Sequence, residues 1–194
     1  MPENKQVLLE QIKADIIKNN VCPNLAREAK NLVMGDGNID AEIVIIGEAP
    51  GKKEDELGLP FMGAAGKFLN EMLDSVGIAR KDVFITNIVK YRPPKNRDPS
   101  KIEKAEFWPY LLRQLDVIQP KVVVTLGRHS MGYFLPQAHI CDVHGQSSKV
   151  EIDSLKLTVV PLYHPAAALY RRSMREALID DFKNLPKIIR NINN

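Results

Sequence analysis

The stretch Ile43-Val44-Ile45-Ile46-Gly47 decides the fold class. A short β-branched run closed by glycine reads as a buried parallel strand. Outward from it, residues 82–87, 122–126 and 157–161 carry similar apolar runs, and residues near 148–152 offer a hairpin partner to the last of these. Helical periods separate them. In residues 5–19, Leu8, Leu9, Ile12, Ile16 and Ile17 recur with helical spacing, and in residues 64–76 so do Phe68, Leu69, Met72, Leu73 and Val76, with Gly77 as the stop. Residues 100–118 begin with Ser100 and, three positions on, Glu103, the pattern of a capping box. A last helix is predicted over residues 174–189, with Pro186 as a break point. Alternating strands and helices predict an α/β fold: a three-layer α/β/α sandwich around a central four-stranded parallel sheet, a single domain over residues 1–194. In such sheets ligands bind at the carboxyl ends of the strands, so the residues just after each strand carry the functional reading.

The whole-chain properties narrow the class. The 194 residues are 44% hydrophobic and 26% charged, and no apolar run approaches the roughly 20 residues of a membrane span. Residues 1–11 are polar and lack the apolar centre of a signal peptide, so a cytoplasmic, non-membrane protein is expected. Two cysteines, Cys22 and Cys141, argue against a disulfide framework, and they fall short of the four thiolates that an iron–sulfur cluster commonly uses. The net charge of +3 is compatible with nucleic acid without demanding it. Its distribution says more. Lys90, Arg92, Lys95 and Arg97 crowd one proline-rich segment, and Arg171, Arg172 and Arg175 crowd another. Each cluster alone fits a solvated surface; two beside strand-end motifs point to phosphate contacts.

After the first strand stands Glu48, in Gly47-Glu48-Ala49-Pro50-Gly51. The turn lacks the Lys-Ser/Thr ending of a P-loop, and a carboxylate there repels phosphate but suits activation of water. After the second stands Asn87. A lone asparagine at a strand end commonly ties down a loop; its amide, offering an acceptor and donors, is also the group that would distinguish uracil from cytosine. After the third, Gly127-Arg128-His129-Ser130 places small residues and a helix start where a DNA phosphate could sit. After the fourth comes His164-Pro165, where an N–H donor would stabilise a developing anion; a structural histidine is the bland alternative.

Together these motifs resemble the family 4 uracil-DNA glycosylases. The matching residues are Gly47-Glu48-Ala49-Pro50-Gly51, Gly58-Leu59-Pro60-Phe61-Met62-Gly63, Ile85-Thr86-Asn87-Ile88-Val89-Lys90, Arg92-Pro93-Pro94, Asn96-Arg97-Asp98-Pro99, Pro120-Lys121-Val122-Val123-Val124 and His164-Pro165-Ala166. They run in order over roughly residues 20–185. The resemblance implies a monofunctional glycosylase acting on uracil-containing DNA, and a monomer is the expectation for an enzyme that must scan DNA. Glu48 and His164 would be catalytic. Ala49, Glu54, Phe61 and Asn87 would bind the base, with Phe61 stacking on the flipped uracil, Asn87 reading its pairing edge and Glu54 crowding its C5 side. DNA contacts are expected from Lys90, Arg92, Asn96, Arg97, Arg128, His129, Ser130, Leu169, Arg171 and Arg172, with Leu169 or Tyr170 as a wedge in the duplex. Flipping a base costs a few kcal/mol, and aromatic stacking returns about 1–3 kcal/mol.

The chain departs from the family at its [4Fe–4S] cluster. Of the four ligand positions only Cys22 is a cysteine; Asn19, Tyr91 and Phe107 occupy the others, and Cys141 matches none. The expectation is a protein without cluster or other cofactor or metal, in which Tyr91, Phe107 and Trp108 fill the volume, each buried ring contributing roughly 1.5–3 kcal/mol. Three other readings stay open: a broader-specificity base glycosylase, a non-catalytic protein binding uracil or abasic DNA, and a nucleotide-binding α/β domain resting on residues 47–51 alone.

Overall fold

In the computed structural model, which describes residues 4–193, six strands form one sheet in the order β1-β3-β2-β4-β6-β5. These are β1 (Asp36–Gly37), β2 (Ile43–Gly47), β3 (Phe84–Asn87), β4 (Val122–Leu126), β5 (Ser148–Ile152) and β6 (Leu155–Leu162). The interior strands β3, β2, β4 and β6 are parallel, as their sequences predict. The sheet is larger than expected: β1 and β5 pair antiparallel at its two edges. β5 is the anticipated hairpin partner and alternates in exposure, as befits an edge. β1 is too short and too polar to carry a strand signal.

The apolar runs are continuous because both faces of the sheet are covered. Val44, Ile46, Val123 and Val159 point into one core, closed by α1 (Lys5–Lys18) and α5 (Lys101–Ile118). Ile43, Ile45, Val124 and Val160 point into the other, closed by α4 (Ala64–Ser75) and α9 (Arg172–Asn193). This is the three-layer sandwich. Shorter helices stand between: α2 (Pro23–Ala26), α3 (Lys52–Leu57), α6 (Arg128–Phe134), α7 (Ile140–Val143) and α8 (Pro165–Ala168). One expectation fails in detail. Pro186 does not break the last helix, which runs through it. Leu178, Phe182 and Leu185 are all fully buried on the sheet, and that packing outweighs the one backbone hydrogen bond that proline forfeits.

The capping box of α5 is present and does more than cap. Glu103 Oε2 accepts from the Ser100 N–H at 2.7 Å while Ser100 Oγ accepts from the Glu103 N–H at 3.1 Å. The same carboxylate receives both terminal nitrogens of Arg97, at 2.8 and 2.7 Å, and Nδ2 of Asn24 at 2.8 Å. Glu103 is thus a buried anion satisfied from three segments, tying the loop of residues 92–99 and α2 to α5. The Arg97 guanidinium, the Ser100 amide and Asn24 hold its carboxyl at about 2, well below the usual range. A depressed folded-state value stabilises the protein above the ordinary carboxylate value near 4.5, and the contribution is lost as pH falls towards about 2. Glu103→Gln is expected to cost about 1–3 kcal/mol at neutral pH in denaturant unfolding. The difference from wild type should shrink steadily on acidification from about pH 4.5 to about pH 2; a difference that ignores pH would show that the charge is immaterial.

Candidate active site

The carboxyl ends of β2, β3 and β6 open into a cavity of about 290 Å³, at the small end of ligand pockets. Glu48, Ala49, Glu54, Phe61, Asn87 and His164 line it, so the six residues expected at the catalytic and base-binding positions share one cavity. Pro93, Asn96, Arg97, Asp98 and Pro99 from the loop of residues 92–99 add a further wall.

Register explains the convergence. Gly47, the last residue of β2, pairs with Asn87, the last of β3. The pairing continues past the strand ends, where the Ile88 and Val89 N–H groups donate to the Gly47 and Glu48 carbonyls, each at 3.0 Å. Gly47 must be glycine here: a Cβ would collide with Asn87 Oδ1 and lie 2.7 Å from Phe61 Cζ. Its bare backbone lets an amide and an aromatic ring meet over the strand end.

Asn87 is 2% exposed, and its Oδ1 has no hydrogen-bond partner. A buried amide oxygen left unpaired is costly, about 1–3 kcal/mol, and this one borders a cavity. Its backbone is fixed from below by Lys90, whose Nζ donates to the Asn87 carbonyl, Thr86 Oγ1 and Gln114 Oε1 at 2.6–2.7 Å. This corrects one expectation: Lys90 is fully buried, its ammonium is spent on three internal oxygens, and it cannot reach a DNA phosphate.

Phe61 holds a left-handed backbone, φ 53°, uncommon for a bulky residue. The loop around it is clamped from both sides. Glu54 Oε1 accepts from the Met62 and Gly63 N–H groups at 2.7 and 2.8 Å, and Arg80 donates to the Pro60 carbonyl at 2.7 Å. Such a clamp is what a strained conformation requires. One oxygen of Glu54, read from the sequence as crowding the base, thereby anchors the loop that presents Phe61. The Phe61 ring lies 5.9 Å from the His164 ring, centroid to centroid.

Burial, and secondarily His129, push the His164 imidazole down to about 4, so the ring is neutral at physiological pH. Its Nδ1 accepts the Ala166 N–H at 3.1 Å. The single ring proton is therefore on Nε2, which leaves a donor for a ligand. Glu48 is shifted the other way, up to about 7: burial raises it, with Asp98 assisting, against the opposing pull of Lys104 and Arg128. A carboxyl poised there can take up a proton near neutral pH.

Of the remaining expected residues, Asn96 and Arg97 also line the cavity and the others do not. Arg92 donates to Asn96 Oδ1 at 2.7 Å, ordering the loop they share. Arg97 commits both terminal nitrogens to Glu103. Arg128 donates from Nε to His129 Nε2 at 3.3 Å. Ser130 needs a second correction: it is fully buried, and its hydroxyl donates to the carbonyls of Leu126 and Gly127, so that hydroxyl is not a DNA contact. Beyond His164, Leu169 is 37% exposed and Tyr170 88% exposed, with Arg171 and Arg172 on the same surface. Arg175, from the same charged cluster, instead stacks on Phe68 at 4.2 Å.

Sequence reasoning passed over Arg80, Lys104 and Gln114. For the last two a signal existed: both fall on the apolar stripe of α5 with Phe107, Leu111, Leu115 and Ile118, where a polar residue is out of place.

The positions that hold cluster cysteines in the resembling family do not fit a cluster here. Both cysteines are free, Cys22 buried and Cys141 exposed. Burial and the Glu106 carboxylate push the Cys22 thiol far up, away from the thiolate a metal needs. Its Sγ donates to the Glu103 carbonyl at 3.6 Å. Phe107 is fully buried and meets Tyr91 edge-on at 5.8 Å, while Asn19 Nδ2 donates to the Tyr110 hydroxyl at 2.9 Å.

Comparison with known proteins agrees with this geometry. The profile of the Uracil DNA glycosylase superfamily matches residues 34–187. A Type-4 uracil-DNA glycosylase of Sulfurisphaera tokodaii is 45% identical over 186 residues, covering 93% of this chain and 84% of that protein. One of Archaeoglobus fulgidus is 45% identical over 185 residues, 93% of this chain and 92% of its own. One of Thermotoga maritima is 36% identical over 188 residues, 96% and 97% of the two chains. Fold, strand-end residues and relatives converge, and the chain belongs to the uracil DNA glycosylase superfamily, among its type-4 members.

Proposed function

We propose that this protein excises uracil from DNA, hydrolysing the N-glycosidic bond of deoxyuridine to leave an abasic site. The observation that carries the reading is the buried Asn87 amide, whose unpaired oxygen borders a cavity shared with Phe61, His164 and Glu48. Uracil flipped out of the duplex stacks on Phe61. Asn87 Oδ1 accepts its N3–H, and the amide N–H donates to O4. Cytosine presents the reverse pattern, leaving buried groups unpaired on both sides, which is the strongest available basis for rejection. As the C1′–N1 bond breaks, its electron pair passes into the uracil ring and His164 Nε2–H donates to the developing charge on O2. Water adds to C1′ and gives its proton to Glu48. The chemistry uses only side chains of this chain and ends at the abasic site.

Around this chemistry we assign Arg92, Asn96, Arg97, Arg128, His129, Arg171 and Arg172 to the DNA backbone, and Leu169 or Tyr170 to the gap left by the flipped base; the place of Asn96 and Arg97 on the cavity wall and the exposure of Arg128, Leu169, Tyr170, Arg171 and Arg172 support it. Ala49 contributes backbone at the cavity edge. The protein works as a monomer, in the cytoplasm, as a single domain without a [4Fe–4S] cluster. The aromatic packing of Tyr91 and Phe107 supports that last point.

Three measurements test the proposal. Alkali cleavage of a labelled uracil-containing oligonucleotide in EDTA should proceed with wild type and fall by about 2–4 kcal/mol of barrier, roughly 30- to 1000-fold, in Asn87→Ala. Intact DNA binding without cleavage in wild type would instead favour a binding protein, and equal cleavage of hypoxanthine or xanthine a broader glycosylase. Glu54→Ala releases the Phe61 loop and should lower kcat/KM for uracil by roughly 10- to 100-fold, as expected for hydrogen bonds to a charged group; unchanged kinetics would remove Glu54 from the site. Iron and sulfide analysis of anaerobically purified protein should find neither in stoichiometric amount; a full complement of both would refute the cluster-free reading.

A further inference from the structure

Lys104 has no part in the scheme above, yet it is only 9% exposed and lies on the apolar face of α5. A lysine is kept in such a place when an anion compensates it. The anion is Glu48. Lys104 Nζ stands 3.7 Å from Glu48 Oε1 and 3.5 Å from His129 Nδ1, and His129 Nδ1 stands 3.6 Å from the same carboxylate oxygen. That oxygen is shut off from solvent and has no hydrogen bond closer in. Neither Lys104 nor His129 lines the cavity, whereas Glu48 does. The two therefore back the carboxylate from behind the cavity wall.

The charge arrangement is specific. Ligand-type atoms of Glu48, Asp98 and His129 lie within 4.8 Å of one another, a grouping that attracts a cation. Lys104 contacts two of the three, so the chain supplies that cation itself. The groups facing Glu48 come from three elements: Lys104 from α5, Arg128 and His129 from α6, and Asp98 from the loop of residues 92–99. Burial opposes ionisation of Glu48 most strongly and Asp98 adds to it; Lys104 is the largest opposing influence, with Arg128 behind it. Burial, then the Lys104 charge, hold His129 below its ordinary value.

We infer that Lys104 is a positioning residue for the glycosidic reaction, its ammonium pinning the Glu48 carboxylate and balancing its charge. The inference rests on the reading of Glu48 as the group that accepts a proton from water. Only the ionised carboxylate can accept it, so the rate rises with pH through the Glu48 value near 7. Removing Lys104 removes the largest interaction favouring the anion, and the rising limb must move to higher pH.

The test is the pH dependence of kcat and KM on a uracil-containing oligonucleotide, from about pH 5 to about pH 10, in EDTA. Wild type, Lys104→Met, Lys104→Arg and Glu48→Gln are compared, with Lys104→Gln in parallel to keep a polar head in the buried seat. For a shift of one pK unit, Lys104→Met and Lys104→Gln are expected to lose about fivefold in kcat at about pH 7 and about tenfold near pH 5, with KM little changed. Both should recover towards wild type in alkali, which also shows that they are folded. Lys104→Arg should keep the limb near its wild-type position. A loss by the same factor at every pH, or a rise in KM with kcat intact, would overturn the inference in favour of a packing or DNA-contact role. An unmoved limb beside an inactive Glu48→Gln would defeat the inference alone. A Glu48→Gln variant with wild-type rate and profile would defeat the reading of Glu48 on which it rests. Wild-type activity lost in EDTA and restored by a divalent ion would give the cation's place to a metal and overturn it as well.

Discussion

The site depends on one backbone register. β2 and β3 run parallel with Gly47 opposite Asn87, and the hydrogen bonds continue one step beyond each strand, to the Gly47 and Glu48 carbonyls. That register places a carboxylate and an amide at adjacent strand ends, and the missing Cβ of Gly47 gives the Phe61 ring its place over them. A slip of one residue would turn Asn87 to the opposite face of the sheet. The continuous apolar runs of β2 and β4 prevent it, because every register-shifted alternative would have to rebuild both cores at once.

Around this frame the protein buries more polar groups than a simple sandwich needs, and each has defined work. Lys90 satisfies its three N–H groups on internal oxygens and so locks the backbone beneath Asn87. Glu103 accepts from three segments and holds the cavity-lining loop to α5. Lys104 faces Glu48. A fully satisfied polar group in a dry interior is rigid, since any displacement leaves it unpaired. The two exceptions that line the cavity, Asn87 Oδ1 and Glu48 Oε1, are the atoms a substrate or its water would engage or that a neighbouring charge must balance.

The region around Asn19, Cys22, Tyr91 and Phe107 is a second mechanical joint, made of packing and hydrogen bonds. The turn before α2, the segment after β3 and α5 meet there. Edge-on packing of Tyr91 against Phe107, the Asn19 to Tyr110 hydrogen bond and the Glu103 hub join them. Glu106 accepts from the Cys22 amide at 2.8 Å and completes the joint.

The sequence by itself determined the parallel strands, the capping box of α5 and the identity of the strand-end residues Glu48, Asn87 and His164. These are local: β-branched runs, an Ser-to-Glu spacing and position after a strand are properties of neighbouring residues. It misjudged groups whose role depends on what arrives from elsewhere in the chain. Lys90 sits in a basic segment and reads as a phosphate contact, but three acceptors, one of them Gln114 from 24 residues away, draw it inward. Ser130 sits at a helix start, but its hydroxyl is taken by the preceding strand's carbonyl. Glu54 does line the cavity, and what the sequence missed there is only that one of its oxygens also holds the turn eight and nine residues on. Pro186 reads as a helix end until the buried side chains around it are counted. Only the tertiary structure decided which charges are buried, because desolvation and its compensation are set by partners brought together across the fold and not by composition along the chain.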